Sequence, residues 1–456
     1  MTQERSDALV FFGATGDLAF KQIYPALYAL TLHGRLDMPV VAVGRKELGT
    51  GALREKVKEA LEKNGNLDTS AVFALLGHLQ YVAVDDGDAT SFGRIRDALG
   101  SRARRPLHYM ALPPESFAKT AEGLAKVDLS KNARIAVEKP FGRDLASAKE
   151  LSRKLHEFFD EEAIYRLDHF LGKEAVENIV YFRAANPLIE RAMNATEVLS
   201  IQITMAETFG VKGRAKFYDP VGAIRDVVQN HLLEVVACLT MDLPTGRGHA
   251  PLRDARSQLL GHVRALAPTD VVRGQVRGYK DEQDVAKDST TETFAALRLS
   301  IDAPRWSGVP IFIRAGKGLR VTATEAVVRL KTRTHPILDE TSAPAPNQVR
   351  FRIGPDMATA LSANVKRPGE SMSGEMAELT LRHTEPGSMK AYERLLGDAM
   401  DGDPTAFARL DAVEESWRIV DPILDNATPV HEYDTGTWGP DAAKSVSPEW
   451  GWHDPA

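Results

Sequence analysis

Ala8-Leu9-Val10-Phe11-Phe12-Gly13-Ala14-Thr15-Gly16-Asp17-Leu18-Ala19 is the stretch whose reading decides the fold. Five apolar residues in a row, two of them aromatic, read as a parallel strand, because a strand covered on both faces has no need of polar alternation. Gly13 and Gly16 break that strand and open an amphipathic helix carrying Ile23, Leu27 and Leu30. Glycines at such a turn let a phosphate approach the backbone, where the helix N-terminus offers free N–H groups and a partial positive charge. Gly13, Thr15, Gly16, Asp17 and Leu18 are therefore candidate contacts to a dinucleotide. A tight strand-to-helix turn also needs glycine on steric grounds alone, and that plainer reading stays open.

Working outward, strands and helices alternate. Val40–Val43 ends at Gly44-Arg45-Lys46, where an acidic residue would bind a ribose hydroxyl and an arginine suits a 2′-phosphate, so Arg45 favours NADP, with NAD as the alternative. A solvated basic turn would look the same. A helix near 51–63, a strand at Leu79–Val84 ending in Asp85-Asp86, a helix near 90–99, a strand at Leu107–Leu112 stopping at Pro113, and Arg134–Glu138 before Lys139-Pro140 continue the pattern. Ligands of open α/β sheets lie beyond the carboxyl ends of the strands, so Asp85, Ala111, Pro113 and Lys139 are candidate cofactor contacts. Lys139 is equally explained as a solvated strand end. The expectation is a doubly wound, Rossmann-like α/β domain over residues 1–175. From about residue 198 successive strands replace the alternation, among them 198–205, 293–299, 309–314, 326–331, 348–353 and 377–381. Residues 176–456 are accordingly expected to form an α+β domain with a large, mostly antiparallel sheet.

At 456 residues the chain is long enough for two cores. A net charge of −6 argues against nucleic acid or an anionic membrane surface as partner, so any anionic ligand must be held by local cations. Cys238 is the single cysteine, which excludes an intrachain disulfide and a cysteine zinc site; no metal is expected. It reads as a core residue of a reducing compartment. Met1–Asp7 shows no leader pattern and no stretch reaches the length of a membrane span, so the expected location is the cytoplasm.

Chemistry concentrates in two clusters, Arg166-Leu167-Asp168-His169-Phe170-Leu171-Gly172-Lys173-Glu174 and Asp226-Val227-Val228-Gln229-Asn230-His231-Leu232-Leu233-Glu234. On a helix, His169 and Lys173 would share one face and suit a phosphate or carboxylate. A carboxylate such as Asp168 that reaches a histidine from another segment fixes its tautomer and stabilises its protonated form, and His231 on an apolar helix is the natural partner. The plainer alternatives are a solvated polar face for His169 and Lys173, a satisfied core histidine for His231, and a capping role for Asp168.

These clusters, with the glycine turn, Glu138-Lys139-Pro140-Phe141-Gly142, Gly316-Lys317, Trp417–Pro422 and Tyr433–Pro440, resemble the glucose-6-phosphate dehydrogenase family along both domains. The resemblance implies that His231 accepts the proton of the sugar C1 hydroxyl while C1 passes a hydride to NADP, and that Asp168 orients His231. It assigns the 6-phosphate to His169 and Lys173, sugar hydroxyls to Glu207 and Asp226, the sugar side of the cleft to Lys317, and both ligands to Lys139. The product would be a 1,5-lactone, and the assembly a homodimer or homotetramer built through the large sheet. The chain departs from the family where tyrosine is usual (Phe170), where lysine is frequent (Gln22, beside Lys21), where a second cation follows Lys317 (Thr322, near Arg320), and in Ile189–Asn194, where Arg191 and Met193 replace proline and tryptophan. Each charge-assisted contact contributes about 1.5–3 kcal/mol, so these changes bear on specificity. A paralogue oxidising a modified sugar phosphate, and a catalytically silent nucleotide-binding relative, are the alternative readings.

Overall fold

All five residues of Ala8–Phe12 are buried, as a strand covered on both faces requires. In this computed structural model, which describes residues 4–455 apart from 64, 66, 86–87, 247, 333–344, 370–373 and 383–388, that segment is β1. Asp86, part of the strand end read from the sequence, lies outside the described residues. β2 (Val40–Gly44), β3 (Leu79–Ala83), β4 (Pro106–Met110), β5 (Arg134–Glu138) and β6 (Ile164–Leu167) join it in one sheet of order β3-β2-β1-β4-β5-β6, every pairing parallel. This is the expected doubly wound architecture. The strand order reverses between β1 and β4, which is where such sheets leave a crevice at their carboxyl ends. Two helices that the sequence pattern did not reveal, Thr69–His78 and Pro114–Lys126, complete the alternation.

The chain divides into two compact units. The first comprises Met1–Lys173, Gly246–Arg253 and Met389–Glu414, so it draws in two stretches from beyond residue 175. The helix Ala391–Asp401 contributes Leu395, Leu396, Ala399 and Met400 to the same core as Leu27 and Leu30. Ser6 N–H and the Arg134 guanidinium both donate to the Met400 carbonyl, at 2.7 and 3.2 Å.

The second unit is built on β7 (Val198–Ala206), β8 (Val271–Val276), β9 (Phe294–Leu299), β10 (Ile311–Gly316), β11 (Ala323–Leu330), β12 (Gln348–Gly354), β13 (Ala358–Lys366), β14 (Gly374–Arg382) and β15 (Val430–Tyr433). They form one sheet in the order β14-β13-β12-β11-β7-β10-β9-β8-β15. Only β7–β10 and β8–β15 run parallel, so the sheet is mostly antiparallel, as expected. Cys238 is buried in the helix Leu233–Thr240, and its carbonyl accepts from the fully buried Arg183, which also pairs with Glu190.

Candidate active site

In the first unit, the turn after β1 is shaped by a close approach. Gly13 has φ +77°, and a Cβ there would lie 2.1 Å from the Ala111 carbonyl oxygen at the end of β4. Ala111 N–H in turn donates to Phe12 O at 3.2 Å. Only glycine fits, and the cradle of backbone this leaves suits a dinucleotide phosphate. Thr15, Gly16 and Asp17 are exposed on it and Leu18 is half-buried. Lys21 is engaged by Asp17 at 2.9 Å, beside the exposed Gln22. Arg45 stands exposed just past β2, Asp85 just past β3 exchanges backbone hydrogen bonds with the Ser91 hydroxyl, and Pro113 precedes the helix that follows β4.

The stretch from Arg166 differs from the helical expectation. Arg166 and Leu167 close β6, and Asp168–Lys173 is a turn; the helix starts only at Glu174. The cause is Asp168 itself, whose buried Oδ1 accepts from Phe170 N–H at 2.9 Å and so competes with helical bonding. His169 and Lys173 are therefore related by this turn rather than by a helix face. Both pack on Phe170: the His169 ring centroid lies 5.2 Å away, and Lys173 Nζ sits 3.7 Å above the ring. Phe170 is 1% exposed, so its ring fills space and carries the ammonium by a cation–π contact. Gly172 is required by packing rather than by a ligand, since a Cβ there would meet Leu395 Cγ at 2.7 Å and Ala391 O at 2.9 Å. Arg166 is structural, forming a two-bonded pair with Glu161.

Lys139 follows β5, whose last residue, Glu138, is buried and accepts from the Tyr109 hydroxyl at 2.5 Å. Burial pushes the Glu138 carboxyl up to about 7, despite hydrogen bonds from Tyr109 and Tyr392 and the nearby Lys139 charge. Burial and the Glu138 charge raise the Tyr392 phenol, and the Tyr392 ring stacks nearly parallel to His169, centroids 6.2 Å apart. Glu138 had a local signal, a carboxylate ending an apolar buried run; Tyr392, far along the chain, had none.

In the second unit, three residues named from the sequence come together. Lys317, 8% exposed at the end of β10, reaches Glu207 Oε2 at 2.5 Å and Asp226 Oδ2 at 3.9 Å. Its carbonyl accepts from the Tyr433 hydroxyl at 2.6 Å, and its ammonium lies 5.1 Å from the Tyr218 ring centroid. Burial, with Asp226 and Glu292 nearby, holds the Tyr218 phenol well above its usual range. Asp226 and His231 lie on Ile224–Leu232, a stretch of π-helix whose i→i+5 hydrogen-bond period brings residues five apart towards one side. His231 is 1% exposed. The N-terminus of this helix is fixed by Glu292, which accepts from Ile224 N–H at 3.0 Å and pairs with buried Arg273 at 3.0 Å. Arg273, Glu292, Tyr218 and Tyr433 were not singled out from the sequence. Thr322 accepts from Thr208 N–H at 3.1 Å and meets its hydroxyl at 2.9 Å, so it braces the residue next to Glu207.

Profiles described as the NAD binding domain and the C-terminal domain of glucose-6-phosphate dehydrogenase match residues 10–178 and 180–453. Glucose-6-phosphate 1-dehydrogenase 1 of Mycobacterium tuberculosis is 44% identical over 446 residues, covering 97% of this chain and 94% of that protein. The crystal structure of glucose-6-phosphate 1-dehydrogenase from Mycobacterium avium superposes with a TM-score of 0.93 at 41% identity, with 99% of each chain covered. A glucose-6-phosphate dehydrogenase solved in complex with its substrate glucose-6-phosphate gives 0.92 at 32% identity, with 100% of both chains covered. With two successive domain profiles spanning nearly all of its length, the chain belongs to the glucose-6-phosphate dehydrogenase family.

Proposed function

We propose that the protein oxidises glucose 6-phosphate at C1 to the 1,5-lactone of 6-phosphogluconate, with NADP as cofactor. The observation that carries this reading is the full-length likeness to glucose-6-phosphate 1-dehydrogenases. Residues 1–175 act as the cofactor domain and 176–456 as the substrate-binding and oligomerisation domain. The cradle at Gly13, Thr15, Gly16, Asp17 and Leu18 takes the pyrophosphate, and Asp85, Ala111, Pro113 and Lys139 line the strand ends beyond it. Exposed Arg45 supports NADP over NAD, since a guanidinium matches a 2′-phosphate. NADP, when bound, supplies the hydride acceptor. His231 takes the proton of the C1 hydroxyl as C1 loses hydride, and Asp168 is its paired acid. Lys317 faces two carboxylates, Glu207 and Asp226, so that cluster is net negative and suits sugar hydroxyl donors better than a phosphate. The 6-phosphate falls to His169 and Lys173, with Lys139 reaching both ligands. Exposed Met376, Leu379 and Leu381 on β14 support assembly as a homodimer or homotetramer through the large sheet. The proposed location is the cytoplasm.

A steady-state assay with glucose 6-phosphate, run in parallel with NADP and NAD, tests this. Turnover with NADP, reduced by roughly 10²–10⁴-fold in His231→Asn, is expected. Retained NADP binding without turnover on glucose 6-phosphate would overturn it. Phe170, which lacks the hydroxyl usual in the family, and Thr322, which lacks the cation, favour a second reading, a modified sugar phosphate; a panel of amino and deoxy sugar phosphates tests that.

A further inference from the structure

We propose that Glu138 is a positioning residue for the substrate-side turn of the first unit, acting through Tyr392 to set the plane of the His169 imidazole. The proposal rests on the dehydrogenase reading above for its kinetic test. Its geometry stands apart from that reading. Glu138 closes β5 at a point where the chain is wholly buried, and it is hydrogen-bonded by two phenols, Tyr109 from β4 and Tyr392 from Ala391–Asp401. Tyr392 presents its ring to His169 at an interplanar angle of 9°. The helix carrying Tyr392 is itself clamped by the Glu393–His33 contact at 2.7 Å and by Gly172, over which Leu395 is seated. Anchoring one end of a stacked pair by its hydroxyl fixes the plane of the other.

The charged and titratable groups facing Glu138 are Tyr109, Tyr392, Lys139 and Asp168. Ionised, Glu138 accepts from both phenols. Protonated, it brings a third hydrogen into the same small group and loses the charge that strengthens both bonds. Because burial holds this carboxyl near 7, the anchor is complete above neutrality and relaxes below it. Glu138→Gln keeps the shape and removes the charge, so it reproduces the protonated state at every pH.

The test compares KM for glucose 6-phosphate in the wild type and Glu138→Gln between pH 6 and 8, as a ratio, which cancels titration of the substrate phosphate. The ratio is expected to be about tenfold at pH 8 and to fall towards one at pH 6, with kcat changed less than about twofold. Tyr392→Phe, which keeps the ring and drops the anchor, is expected to raise KM similarly. A pH-independent ratio, or a loss confined to kcat, would overturn the proposal. Imidazole NMR signals of His169, assigned with His169→Asn, are read in the same variants without substrate. They are expected to shift in both, and unchanged signals would overturn the proposal even if no sugar phosphate turns over.

Discussion

Lys317 is nearly buried, and an ammonium in that position needs opposite charge close by; Glu207 and Asp226 supply it from two other segments. Lys317→Met would leave two carboxylates facing one another. We expect kcat/KM for glucose 6-phosphate to fall by about 10- to 10²-fold, since a charge-assisted contact to the substrate contributes about 1.5–3 kcal/mol. The melting temperature of the variant is expected to lie below that of the wild type, because the two carboxylates lose the opposite charge that faces them; calorimetry checks it. These three residues were legible together only through the family resemblance, because no spacing in the sequence announces that side chains so far apart will meet. The fate of Phe170 was not legible either. Its missing hydroxyl was visible in the sequence, but not that its ring would be covered by Lys173.

Among elements, Ile224–Leu232 depends on a polar anchor buried in the sheet. Glu292 holds its first turn while pairing with Arg273 of β8, so Glu292→Gln leaves a buried guanidinium without its carboxylate. A destabilisation of about 3–5 kcal/mol is expected, measured as a lowered urea midpoint. Arg273, Gly274 and Gln275 are also why β8 could not be read from the sequence: they interrupt the apolar run, although the two side chains point into hydrogen-bonded burial. β1 and β2 were readable because strands buried on both faces are apolar throughout, and β4 and β5 because their remaining residues are apolar around His108 and between Arg134 and Glu138. That the stretch after β6 is a turn was not legible, because the four-residue spacing of His169 and Lys173 carries no sign of the Asp168 side-chain bond that competes with a helix there.

At the scale of the whole molecule, acid acts on the first unit through His108 of β4, fully buried with its Nε2 bonded to the Leu129 carbonyl at 2.7 Å. Burial lowers its pKa to about 4, so below the ordinary value near 6.5 the unfolded chain takes up a proton that the folded one refuses. Stability is therefore lost as pH falls from about 6.5 towards 4, by about 2 kcal/mol at pH 5. The difference in unfolding free energy between the wild type and His108→Gln, followed from pH 7 to 5, is expected to change by that amount. The two-domain plan was legible as a change from alternating to successive strands, but the return of Met389–Glu414 to the first unit was not, since nothing local marks a helix whose apolar face belongs to a distant core. That return has a consequence in time. Synthesis runs from the N-terminus at about 5–20 residues per second, so roughly 10–40 seconds pass between the emergence of Lys173 and that of Met389. For that interval the nascent sheet waits on the ribosome with the seats of Leu395 and Leu396 open to water, and chaperones meet a half-covered core.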